Sequence, residues 1–299
     1  MKTHSSSRSQ LSIRWMGVAA LASLYGAFTL AWVNYRIHLP GLLTQFQFSA
    51  DVAPQLLLIE TLLAISLEPL MGKISDRMAQ QQGTRLPLIS LGVVLASAVF
   101  MAIPVWAIFV SPSSAGQWGL LGLLIGWAIV MSIFRSPSVA LLRQSASTPN
   151  LPLAASGLTF AAGIAGAAAP LAKQFILDLG VAVTFTAAAI LLLATAAAVR
   201  FFAPAAPERP RASSTSDSLS RLCLIFFTGL AVTLGFRLAI DTFPKILKAQ
   251  LPQVNAALLV GVIFWRSRWR LFRQARLQRD RAIGRSCGWA SWEPPDFWA

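Results

Sequence analysis

Glu68, Gly72 and Asp76 stand four residues apart in EPLMGKISD, a spacing that places them as a narrow stripe along one helix. A glycine in such a stripe lets a second helix approach closely. Asp76, at the end of the helix, meets the negative end of the helix dipole, so its charge calls for a cationic partner. Arg135, in the run FRSP that closes another apolar stretch, is the simplest partner, and Arg77 and Arg85 add cations in the loop that follows Asp76. Glu60 offers a second chemistry. It falls inside the apolar run Val52–Gly72, where an ionised carboxylate costs several kcal/mol unless it is paired or protonated, which suits a group that takes up and releases a proton or cation. Asn34 and Tyr35, after the first apolar run, are candidates to line a solute cavity, and Arg36 with Asp51 forms an expected ion pair at that end. Arg237 and Asp241, four apart, form another.

The elements that position these groups are set by hydropathy. The chain is 56% hydrophobic and 12% charged, with mean hydropathy +0.62, whereas soluble proteins carry about twice that charged fraction. A span of about 20 apolar residues crosses the hydrocarbon core. Trp15–Val33, Val52–Gly72, Leu86–Val110, Trp118–Phe134, Leu153–Leu177, Leu179–Ala203 and Leu219–Ile240 meet that length or come near it, and Leu251–Trp265 reads as an eighth span cut off. The expected class is therefore an all-α, multi-pass membrane protein in a lipid bilayer. The formal charge of +14 follows the membrane rather than a nucleic acid. Arginine and lysine precede the first span and fill the loops after the second, fourth and sixth, while Ser111–Gln117 carries no charge. Short basic loops stay inside, which puts the N-terminus in the cytoplasm and suits a bacterial inner membrane. The first run is long enough to span and others follow it, so it reads as an uncleaved helix rather than a signal peptide.

Two cysteines and two histidines supply neither a disulfide framework nor a metal ligand set. The sequence holds no phosphate-binding loop, dinucleotide glycine fingerprint, zinc-protease motif or nucleophile elbow. No enzymatic activity, cofactor or metal is expected.

The segment from Gly72 resembles the loop between the second and third helices of the major facilitator superfamily, G-x-x-x-D-R-x-G-R-R/K. Gly72, Asp76 and Arg77 match it in spacing, and Gly83 and Arg85 follow after the insertion-like MAQQQ. The resemblance covers residues 11–265 and implies a major-facilitator-type helical bundle, incomplete, with about seven to eight of twelve transmembrane helices. In that plan residues 1–14 are a cytoplasmic N-terminus, 15–203 the N-terminal six-helix half, 204–218 a polar cytoplasmic linker and 219–265 a partial C-terminal half. The family works by alternating access between halves built from inverted repeats. The resemblance makes Glu68, Gly72, Asp76, Arg77, Arg85 and Arg135 a cytoplasmic gate. FRSP together with Glu68–Pro69 is similar to the sugar-cation symporter branch, which implies a sugar-like solute. Ala162, Gly163, Gly166 and Ala167 loosely resemble an antiporter signature, but the distance to Pro170 departs from it, and close helix packing is the reading kept.

The functional expectation is secondary active transport of a small solute, proton- or cation-coupled, by a chain cut short and therefore open to being inactive. The alternative is a non-transporting assembly factor for pigment–protein complexes, a role that resemblance to relatives in photosynthetic bacteria suggests. The oligomeric state is left open. Residues 266–299 are rich in arginine and tryptophan and change character inside an expected span. Out-of-frame translation of a GC-rich gene would give that composition, and a basic cytoplasmic tail is the other reading.

Overall fold

The computed structural model describes residues 14–147 and 150–202, with scattered positions between 220 and 273. Among these the chain is helical throughout its ordered elements: α1 (Trp15–Gln45), α2 (Val52–Gln82), α3 (Leu86–Phe109), α4 (Ser114–Ser145) and α5 (Leu151–Phe202). α1, α3, α4 and α5 are each long and apolar enough to cross a membrane, which makes this a multi-pass membrane protein. Local signals end the helices. Gly83 caps α2 at φ 71°, the left-handed conformation that glycine adopts without strain, and Arg85 and the proline after Leu86 open α3. The Ser113 side chain accepts the Gly116 amide at 3.2 Å and starts α4.

α5 is 52 residues long and breaks at Gly180, where φ 79° and ψ 164° leave the helical region. Its two arms run in opposite directions, as their contacts with α1 require. A Cβ on Gly157 would lie 3.9 Å from Val18, and one on Gly26 would lie 3.7 Å from Ala161, so the first arm runs parallel to α1. The second arm runs back, from Thr184 beside His38 to Phe202, whose carbonyl would lie 3.3 Å from a Cβ on Gly17. The fold therefore has six helical segments. The expected seventh and eighth spans, the linker and the tail fall largely outside the described residues, as do Arg237 and Asp241, so the count of seven to eight is replaced by six among the described residues.

The segments alternate direction, so the connections gather at two ends. Arg14 donates its amide to the Ser145 carbonyl at 3.0 Å, joining the start of α1 to the end of α4. The α2–α3 turn and Phe202 share that end, which holds Lys73, Arg77, Arg85, Arg143 and Arg200 and is here called the basic end. At the opposite end Gln45 Nε2 reaches the Ala107 carbonyl at 2.6 Å and Gln117 Nε2 the Phe46 carbonyl at 2.9 Å, tying the α1–α2 and α3–α4 connections together.

An aromatic core joins four helices. The Phe100 ring stacks on Phe185 at 4.2 Å and on Trp127 at 4.9 Å, and Trp127 lies 4.6 Å from both Tyr35 and Trp32. α2 is different. Its buried residues are Leu56, Glu60, Ser75 and Ala79, while Leu58, Ile59, Leu62, Ile65 and Leu70 are exposed. Helices packed by small residues tolerate no added volume at the contact. A Cβ on Gly92 of α3 would lie 2.8 Å from the Phe134 Cβ and 3.2 Å from its amide nitrogen, so α4 backbone would have to move. Gly92→Ala is expected to lower unfolding stability by about 1–3 kcal/mol. Gly126→Ala, with nothing within 4 Å of the new methyl, should not lower it. Unfolding of the detergent-solubilised chain by graded SDS measures both.

Candidate functional site

Two clusters built on acidic residues interrupt the apolar bundle, one deep within it and one toward the basic end. The deep one is built on α1, α2 and α4. Glu60 is 4% exposed and sits roughly 12 Å along α2 at 1.5 Å per residue. Tyr35, fully buried, donates its hydroxyl to Glu60 Oε1, and the second carboxyl oxygen has no protein partner. The Tyr35 ring is fixed by Trp127 and by Trp32, whose centroid lies 5.6 Å away edge-on. Arg36 lies over the Trp32 ring at 5.8 Å. The Asn34 amide and the Trp127 indole nitrogen are buried here without hydrogen-bond partners. The structure thus brings the coupling candidate Glu60 onto Tyr35. Asn34 and Tyr35 are not in a connection after the first span, as the apolar run suggested. α1 continues to Gln45 and carries both into the bundle.

Sequence reading set His38 aside as adding no ligand set. It is 4% exposed and meets Thr184 Oγ1 at 3.0 Å, bridging α1 to the second arm of α5 beside the Gly180 break. Its position four residues after Asn34 was the available signal, since the two share a helix face.

At the basic end, Arg135 binds Glu68 across α4 and α2, and its guanidinium lies 5.4 Å over the Phe28 ring of α1. One turn on, Gly72 allows close approach, because a Cβ there would lie 3.1 Å from Ser136 Oγ. Asp76 pairs with Arg85 at 2.7 Å. The expected Asp76–Arg135 pair is therefore not formed, for a geometric reason. The apolar run of the fourth span stops at Phe134, but α4 continues to Ser145, so Arg135 lies well inside the helix, level with Glu68 rather than with the end of α2. Arg85, adjoining α3, takes Asp76 instead. Gly72, Glu68, Asp76, Arg85 and Arg135 share the walls of one cavity of about 460 Å³, together with Ser75 and Arg143. Arg77 is exposed and does not line it.

Pro69 adjoins Glu68, and Pro137 lies two residues after Arg135. Pro69 and Pro137 lack an amide proton, which leaves the Ile65 and Ile133 carbonyls without their usual helical donors. Each helix is thus weakened beside the ion pair that joins them. Among the described residues no three His, Cys, Asp or Glu side chains gather as a metal site.

The Tyr35–Glu60 bond can be measured directly. Tyr35→Phe leaves a buried carboxyl with no hydroxyl donor and should cost about 1–3 kcal/mol of unfolding stability. In a Glu60→Gln background the same change should cost less, and the difference in a double-mutant cycle is the coupling. No protein-family model matches the chain and no curated protein matches it at significant similarity, so the functional argument rests on these contacts.

Proposed function

We propose that the protein is a secondary active transporter of the major facilitator type, which moves a small, sugar-like solute with a proton or cation by alternating access. The observation that carries this reading is Glu60, a carboxyl group buried among helices with one oxygen held by Tyr35 and the other unpartnered. Ionisable groups at such depth are costly and mark ion and proton pathways in membrane proteins. In the proposed cycle, proton or cation arrival at Glu60 changes its bond with Tyr35 and so the seating of α2 against α1. α2 carries that change to the basic end, where Glu68–Arg135 and Asp76–Arg85 act as the gate and the prolines near Glu68 and Arg135 let the helices bend. The concentration of arginine and lysine at the basic end supports a cytoplasmic location for it and for the N-terminus.

Uptake into proteoliposomes under an imposed proton gradient, with a panel of radiolabelled mono- and disaccharides, tests the reading. Accumulation that collapses with an uncoupler is expected, and Glu60→Gln should abolish its dependence on the gradient. Unchanged pH dependence in Glu60→Gln would remove Glu60 from the coupling role. For the gate, Glu68→Gln should lower uptake at least about tenfold, the loss expected of a broken charge-assisted pair. The exchanged pair Glu68→Arg with Arg135→Glu should recover part of it. No uptake of any solute, with copurification of a pigment–protein complex from the native membrane, would favour the assembly-factor reading instead.

A further inference from the structure

The cavity at the basic end holds more positive charge than its ion pairs consume. Arg85, Arg135 and Arg143 line it against Glu68 and Asp76, an excess of one positive charge. Asp76 and Glu68 are each engaged by an arginine. Arg143 has no ion-pair or hydrogen-bond partner among the described residues. Arg135 gives one terminal nitrogen to Glu68 and also meets the Tyr25 hydroxyl, and a guanidinium has five N–H donors, so others remain. Ser75 adds a hydroxyl that is 1% exposed, lines the cavity and has no hydrogen-bond partner. Buried hydroxyls are nearly always satisfied, so an unsatisfied one in a cavity wall points to a bound group. The volume of about 460 Å³ leaves room for a tetrahedral anion and several waters at about 30 Å³ each.

We propose that this cavity is a binding site for an anion of phosphate chemistry, held by Arg143, by the remaining donors of Arg135 and by the Ser75 hydroxyl. The group is either a free phosphate or the headgroup of an anionic lipid, both of which present the same oxygens. Because the anion draws on Arg135, it competes with Glu68. This second part rests on the gate reading: occupancy loosens the α2–α4 pair and makes the anion an effector of the gate.

Titration calorimetry of the full chain in detergent, with inorganic phosphate as the probe, tests the site without any transport assay. Binding is expected, weakened at least about tenfold by Arg143→Gln, the size of a lost charge-assisted contact, and weakened less by Ser75→Ala. Arg143 is exposed, so its variant should keep the wild-type unfolding midpoint. A second arm places the chain in nanodiscs of phosphatidylcholine with or without phosphatidic acid. Stabilisation by phosphatidic acid that Arg143→Gln removes, with no heat from inorganic phosphate, identifies a lipid headgroup and upholds the site. Failure of both probes, or equal binding to Arg143→Gln, overturns it. Glu68→Gln should tighten binding, and an unchanged affinity would overturn the competition with the gate. A chain that transports nothing can still bind phosphate, so failure of the transporter reading and failure of this site are separate results.

Discussion

A carboxylate taken into a helical bundle loses its hydration, and the bundle must return what water gave it or hold the group neutral. α2 brings two such groups inward, Glu60 fully and Glu68 in part, and this requirement organises the structure around them. α2 buries little apolar surface of its own, so its seat depends on Tyr35 of α1 and Arg135 of α4 to an extent that no other helix shares. The consequence is a division of labour. α1, α3, α4 and α5 form a body locked by aromatic stacking and small-residue contacts, while α2 is attached through polar bonds whose strength depends on ionisation.

That division explains why small residues and aromatics lie where they do. Ala161, Gly157 and Gly26 bring α1 and the first arm of α5 into close contact, which maximises dispersion where lipid offers no hydrophobic drive for association. Trp127, Phe100 and Phe185 fill the centre with rigid rings. A fixed aromatic wall holds Tyr35 in position for Glu60, and Phe28 holds the Arg135 guanidinium in the same way. The polar pairs are therefore positioned by the body.

The membrane class and the first six helical segments were legible from hydropathy, including the division of the 52-residue α5 near Leu179. Glu60 and the stripe through Gly72 were legible because helical spacing and the cost of a buried charge are local properties. The pairings were not. Apolar runs mark the hydrocarbon, whereas helices continue past it, so Arg135, Asn34 and Tyr35 looked like helix ends and are helix interior. That error of several residues in α4 moved Arg135 from Asp76 to Glu68. His38 was set aside for a different reason: one histidine in an apolar run has no sequence partner, and Thr184 reaches it only after α5 folds back. Ser75 likewise gains meaning from the cavity and not from its neighbours in the chain.

The turn at Gly180 also bears on how the protein enters its membrane. Two arms joined through one non-helical residue have no polar linker between them to be carried across on its own. Because α1 packs against both arms, its full set of contacts exists only once the chain through Phe202 has been made.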